Sequence, residues 1–564
     1  MAERNWTAAQ QHCIDTRGGS VLVSAAAGSG KTSVLIERVV RRITDAADPV
    51  DIDRLLIVTF TKAAAAEMKQ RLSARLAGFI AAEPENTRLR RQQMLLPSAP
   101  ISTIHGFCTS LLREHFDLIG LSPRFRVAEE KETAFLKTAT LEEVLEVAYA
   151  ARADGFLQLC DLLNRRRDDS GVKEAILTTY QFIGAQAFPR KWLRENAQPR
   201  DEGLPLSQTV WGKVIRRYAA ENTGFLAELL ENAVAPLRPM AEIAAYVDRL
   251  EEYLGILKRT ALTIADETNG WDTCIRALEA AIPPTRPSTK KLDESYIEPV
   301  KNAWDTIRRQ IRDKLLPLFC ENEDTARRDV QATYSKLQAL CELVEAFDNA
   351  YTAKKAQSQM LDFNDLEHLT LQLLRTETGE PTPLARELAG RYREILVDEY
   401  QDTNDVQDTI FRMLSGADNT LFMVGDVKQS IYGFRQAMPE IFMQKKAAFA
   451  PFDGETFPAC ITLGENFRSR RTVTASINFV FNQLMTAPFC GIDYAGGEEL
   501  VYAATYPDND TPTELLLMDN PYAGKELSAA VVEARVMAVR IRELLQNEQV
   551  TAGGVSRPAR LGDI

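Results

Sequence analysis

The sequence predicts an α/β fold in which one parallel sheet is split by a long helical block. Three observations predict it. Short apolar runs (VLVSA, LLIVTF, EILV, TLFMVG) recur within residues 1–112 and 356–460, with helical patterns between them. These runs lack the polar–apolar alternation of a half-exposed strand, so both faces of the sheet must be covered. Between the two stretches, residues 113–355 carry long helical periodicity instead.

In order, VLVSA ends a first strand in a glycine-containing loop, SVLIERVVRRI reads as a helix, and LLIVTF as a second buried strand. Strand–loop–helix–strand order requires a crossover, and hence parallel pairing. In the central block, FLKTATLEEVLEVAYAAR, AEIAAYVDRLEEYLGILKRTALTI and SKLQALCELVEAFDNAY keep helical spacing. The Pro-containing stretches PRKWLRENAQPRDEGLPL and IPPTRPSTKKLDES read as breaks between helices. Strands return at REILVDEYQD and NTLFMVGD. A short strand, CITL, then precedes a helix (TVTASINFVFNQLM), a strand candidate (TELLLMD) and a further helix (SAAVVEARVMAVRIRELLQ). Residues 461–564 therefore read as the beginning of a second α/β domain. The sequence stops at SRPARLGDI, a polar linker with the next element just starting, and so reads as cut short.

A length of 564 residues suits about three or four domains. With 45% hydrophobic and 26% charged residues, the composition is that of a globular protein. The eight cysteines form no C-x-x-C pair and only four histidines accompany them, which argues against a zinc or iron–sulfur site and a disulfide framework. The opening MAERNWTAAQ lacks a secretory plan and no apolar run suits a membrane span, so a reducing cytoplasm and no membrane partner are expected. The net charge of −12 is unpromising for nucleic acid, yet residues 1–120 carry a slight basic excess. Arg165, Arg166 and Arg167 sit beside acids and read as a solvated helix face. Any case for DNA rests on local groups.

Ala25-Ala26-Ala27-Gly28-Ser29-Gly30-Lys31-Thr32 follows a strand and opens a helix, the setting of a P-loop. Backbone N–H groups and the helix N-terminus suit phosphate, Lys31 can reach the β- and γ-phosphates, and Thr32 can ligate Mg²⁺. Ala25 stands where the usual pattern has Gly, and the alternative is an ordinary glycine-rich turn. Asp398 and Glu399, ending the apolar run ILV, supply the acidic partner. Asp398 suits Mg²⁺ through water and Glu399 suits proton abstraction from the attacking water. The alternative there is an acidic cap on the next helix.

An ordered set of segments adds specificity: WTAAQQHCI, AAAGSGKT, VTFTKAAAAEMKQRL, ISTIHGFC, LDFNDL, ILVDEYQDTN, MVGDVKQSIYGFRQA and LGENFRSR. In this order they resemble the UvrD/Rep superfamily of DNA helicases. The stretches ISTIHGFCTSLLREHFDLIGLSPRFRVAEE and LDFNDLEHLTLQLL resemble its AddA branch, the helicase–nuclease subunits of AddAB complexes. The resemblance implies a RecA-like P-loop motor domain (1–112 with 356–460), a helical insertion (113–355) and the start of a second RecA-like domain (461–564).

It also implies roles for single residues. Gln10 would read adenine, Phe467 would stack on the base, and Ser33 stands where related sequences often have an arginine, loosening the adenine sandwich. Gln429 would touch the γ-phosphate and position water, and Arg468 would act as an arginine finger. For DNA the matching positions are Phe60, Thr61, Thr103, His105, Tyr432, Phe434 and Arg435. Judged alone, Phe60 and Phe107 read as core, while 432–435 reads as an aromatic–basic stacking cluster. The implied activity is ATP- and Mg²⁺-dependent 3′→5′ translocation on single-stranded DNA from duplex ends, within a complex repairing double-strand breaks. The implied partner is an AddB-like protein, and the branch's nuclease domain has no room in this sequence. Competing readings are a non-hydrolysing DNA- or partner-binding module, a helicase without nuclease, and a P-loop ATPase that does not translocate.

Overall fold

The computed structural model describes residues 5–164, 168–198, 203–288, 292–320, 322–506, 512–517, 528–552 and 555–564. The arginines at 165–167 lie outside these. The chain forms two compact units, Met1–Ser24 with Thr32–Thr462, and Ala25–Lys31 with Leu463–Ile564.

The first unit is built on a seven-stranded sheet. Its strands are β1 (Ser20–Ala25), β2 (Leu55–Thr59), β3 (Ile101–Thr103), β6 (Glu394–Val397), β7 (Thr420–Gly425), β8 (Ala450–Pro451) and β9 (Ala459–Leu463), in the order β3-β2-β6-β7-β1-β9-β8. β1 lies parallel to β7, with Val21 opposite Phe422, and β2 parallel to β6, with Ile57 opposite Leu396. Strands from either side of the helical block are thus interleaved. Every residue of β2, β6 and β7 is buried, as expected when helices cover both faces.

One buried ionic cluster ties a helix to this sheet. Arg38 and Arg42, on the helix Lys31–Thr44, both reach Glu394 of β6 at 2.8 Å. Arg38 also lies over the Phe422 ring and donates to the Cys13 carbonyl at 2.8 Å. All three charged side chains are almost fully buried.

Among the described residues the helical block shows two apolar cores. One gathers Leu226, Leu250, Trp271, Trp304 and Phe319, and the other Leu145, Ile176, Val344 and Phe347. The 35-residue helix Glu323–Gln357 spans out of the block and delivers the chain to β5 (Met360–Leu361). β5 pairs in parallel with β4 (Arg126–Val127), so the segments by which the chain enters and leaves the block are clasped together.

Two local expectations need correction. PRKWLREN is a helix, Pro189–Asn196, rather than a break, because its proline falls in the first turn, where no N–H is needed. In TELLLMD, residues 513–517 form no strand, and residues 518–519 lie outside the described residues. Leu515 and Leu517 are more than four-fifths exposed, so apolar composition is not matched there by a neighbouring strand.

In the second unit, β10 (Glu465–Asn466) pairs in parallel with β11 (Val501–Tyr502) beside the helix Arg471–Leu484. The helix Ala529–Asn547 has no buried residue. Among the described residues no helix is long and apolar enough to cross a membrane.

Candidate nucleotide and DNA site

The glycine loop belongs to the second unit, where it is held by the segment after β9. Ala26 N donates to the Leu463 carbonyl (2.8 Å), Asn466 Nδ2 to the Ala27 carbonyl (2.8 Å), and Phe467 N to the Gly28 carbonyl (3.0 Å). Gly28 has φ 73°, and a Cβ there would stand 2.7 Å from Asn466 Nδ2 and 2.9 Å from Arg468 Cβ. Glycine is therefore required both by conformation and by space. With these carbonyls engaged, the loop opens a helix at Lys31, an arrangement that fits an anion at the helix N-terminus. Asn466, 2% exposed, also accepts from Arg468 N and Ser469 N, so one amide fixes both the loop and the Phe467–Arg468 backbone.

In the first unit β2, β3, β6 and β7 run parallel, so the chain leaves all four at the same edge of the sheet. Open parallel sheets bind ligands at that edge. β6 leads directly into Asp398 and Glu399, both half-buried. Glu399 takes φ 53°, a left-handed conformation costly for a side-chain-bearing residue, and Asp398 Oδ1 accepts from its N–H at 3.1 Å.

Gln401, buried, holds this turn in place. Its Nε2 donates to Glu399 Oε2 (2.8 Å) and Asp402 Oδ2 (3.2 Å), and its Oε1 accepts from Asp426 N (2.9 Å). Gly425 leaves room for that amide, since a Cβ there would lie 2.4 Å from Gln401 Oε1. Asp426 continues the chain of contacts, accepting from Gln429 Nε2 at 2.7 Å and pairing with Lys428 at 2.9 Å. The acidic pair and Gln429 are thus linked through two buried side chains. A water-activating carboxylate beside a metal-binding one fits this donor set.

The DNA candidates fall into two groups. Phe60, after β2, packs on Tyr432 with ring centroids 4.3 Å apart, and Tyr432 lies 5.8 Å from Phe434. The Arg435 guanidinium lies over both the Tyr432 and Phe434 rings, and Phe434 is 67% exposed. Phe60 is half-buried, whereas Phe107 is core. Thr61 and Thr103 are helix N-caps, their hydroxyls accepting from Ala64 N (3.0 Å) and Gly106 N (3.2 Å). They mark two helix N-termini at the ends of β2 and β3, positions that suit phosphate. His105, in the first turn of the helix Ile104–Glu114, meets Glu367 at 3.0 Å and the Phe363 ring at 4.7 Å.

Gln10 is buried in a capping box, its Oε1 accepting from Thr7 N at 3.1 Å. Its neighbour Gln11 lines a recess of about 1060 Å³ together with Ser33, Trp6, Arg41, Arg75 and Phe79.

The chain matches the family described as UvrD/REP helicase N-terminal domain over residues 6–450. The chain belongs to the UvrD/Rep helicase family. Similar proteins, named as A-type subunits of an ATP-dependent helicase/nuclease, occur in Pelotomaculum thermopropionicum (38% identical, covering 96% of this chain and 46% of the relative) and Acetivibrio thermocellus (37%, 90% and 42%). Another is found in Clostridium beijerinckii (33%, 100% and 48%). The chain spans about half the length of these curated relatives.

Within this UvrD/Rep chain, sequence reasoning passed over Asn466, Gln401 and Glu367. All three lie inside recognised segments, where nothing in the sequence separates a buried amide or acid from a solvated one. Only burial with paired donors and acceptors singles them out.

Proposed function

We propose that this chain is the ATP-handling part of a DNA translocase, the helicase portion of an AddA-like helicase–nuclease. In this reading, residues 1–112 and 356–460 make the first motor domain, 113–355 its helical insertion, and 461–564 the start of the second motor domain. ATP and Mg²⁺ supply the phosphoryl group and its neutralising charge. Lys31 and the glycine loop hold the phosphates, with Thr32 and Asp398 as the metal-side oxygens. Glu399 takes a proton from the attacking water, Gln429 orients that water, and Arg468 meets charge developing on the transferring oxygens. Gln10, Ser33 and Phe467 serve the base.

Phe60, Tyr432, Phe434 and Arg435 offer stacking faces to unpaired bases, while Thr61, Thr103 and His105 face the backbone. Movement 3′→5′, loading at duplex ends in double-strand-break repair, a cytoplasmic setting and an AddB-like partner belong to this reading as what the resemblance to AddA subunits implies. The observation that carries the reading is the strained Glu399 beside Asp398, joined through Gln401 and Asp426 to Gln429.

The test is ATP turnover with and without single-stranded DNA, beside Lys31→Ala. DNA-stimulated turnover that disappears in Lys31→Ala is expected. Turnover unchanged by that substitution would remove the phosphate assignment, and ATP binding without turnover would favour a non-hydrolysing module.

A further inference from the structure

The helix Phe363–Leu374 carries one buried carboxylate that the proposed machinery does not use. Glu367 is 2% exposed, yet it collects three side-chain contacts from two different helical segments. Its Oε1 meets His105 Nε2 at 3.0 Å and accepts from Gln407 Nε2 at 2.7 Å, and its Oε2 accepts from Asn404 Nδ2 at 3.4 Å. A carboxylate taken out of water is costly unless such partners compensate it. Burial alone would raise the Glu367 pKa, but His105, then Gln407 and Asn404, outweigh it and leave it below the usual range.

The two sides of this cluster lead in different directions. Asn404 caps the helix Asp405–Leu414, accepting from Gln407 N at 2.9 Å, and is joined to Asp398–Glu399 by one short 3-10 turn, Tyr400–Asp402. The neighbouring Thr403 carbonyl accepts from Met438 N (3.0 Å), and Ala437 N donates to the Tyr432 carbonyl (3.2 Å), so the stacking loop is tied to the same segment. On the other side His105 is about one-third exposed, beside the half-exposed Phe363 ring. With Nε2 committed to Glu367, Nδ1 is the ring nitrogen left for a ligand, and as imidazolium it donates to a phosphate oxygen.

We propose that Glu367 is a positioning residue that fixes His105 for a DNA phosphate and makes that contact respond to movement of the 398–404 segment. The inference rests on the DNA-translocase reading above. A shift of the acidic turn on nucleotide binding moves Asn404 and Gln407, redistributes the donors around Glu367, and so alters the hold on His105. Glu367 touches neither nucleotide nor DNA.

The test measures the affinity of the chain for a fluorescein-labelled oligo(dT), with and without a non-hydrolysable ATP analogue, and separately its affinity for a fluorescent ATP analogue. In the wild-type chain the analogue is expected to change oligo(dT) affinity. In Glu367→Gln that change should shrink to less than about twofold, oligo(dT) binding should weaken about tenfold, and nucleotide affinity should stay within about twofold. The double variant His105→Ala/Glu367→Gln should bind no more weakly than His105→Ala alone, because both remove one contact. Gln407→Met, which leaves the carboxylate and His105 in place, should reduce the nucleotide effect in the same way and serves if Glu367→Gln does not fold.

A wild-type response persisting in Glu367→Gln and Gln407→Met overturns this inference alone. Parallel loss of nucleotide and DNA binding would mark Glu367 as purely structural and overturn it too. A wild-type chain whose DNA affinity ignores nucleotide overturns both this inference and the translocase reading.

Discussion

At the residue scale, the DNA candidates differ in how much of each side chain the fold has already committed. Thr61 and Thr103 spend their hydroxyls as caps, whereas Phe434 leaves two-thirds of its surface free beside Arg435. Stacking of a base on such a ring contributes about 1–3 kcal/mol. Phe434→Ala should therefore weaken oligo(dT) binding roughly fivefold to a hundredfold while ATP affinity is kept, as read by fluorescence anisotropy. An unchanged dissociation constant would assign the ring to packing. Asn466 was silent in the sequence because an Asn in a turn is ordinarily solvated. Its two hydrogen-bonded faces emerge only when the glycine loop and the segment after β9 are seen together.

At the element scale, the helix after the glycine loop was legible as a helix, but its seat on the sheet was not. SVLIERVVRRI reads as a helix, but nothing in that run signals that Arg38 and Arg42 are buried together with Val39, Val40 and Ile43. Glu394 opens β6, accepts from Arg38 and forms an ion pair with Arg42, so Glu394→Ala leaves two buried cations without their shared carboxylate. That substitution should cost about 3–5 kcal/mol, measured by urea unfolding of the whole chain. A loss under about 1 kcal/mol would mean that water or a shift of the helix compensates the arginines. PRKWLREN shows the opposite error. A proline read as a breaker sits in the first turn of a helix, a distinction that depends on where the element begins.

At the scale of the whole molecule, the two units differ in how much they bury. Every residue of β7 in the first unit is buried, while the helix Ala529–Asn547 in the second buries none. Opening free energies should differ accordingly. Hydrogen exchange should show 420–425 protected up to global unfolding and 529–547 exchanging orders of magnitude faster, and equal protection would contradict this picture. The sequence by itself determined the α/β class, the strands at VLVSA, LLIVT, EILV and TLFMVG, and the glycine-loop and acidic motifs, because period and local chemistry report burial and turns. Tertiary structure alone decided the interleaved strand order, the Arg38–Glu394–Arg42 cluster, and the Glu367 contacts that join the acidic turn to His105. Each of these sets side by side groups that are far apart in the chain, and no local pattern encodes which of them meet.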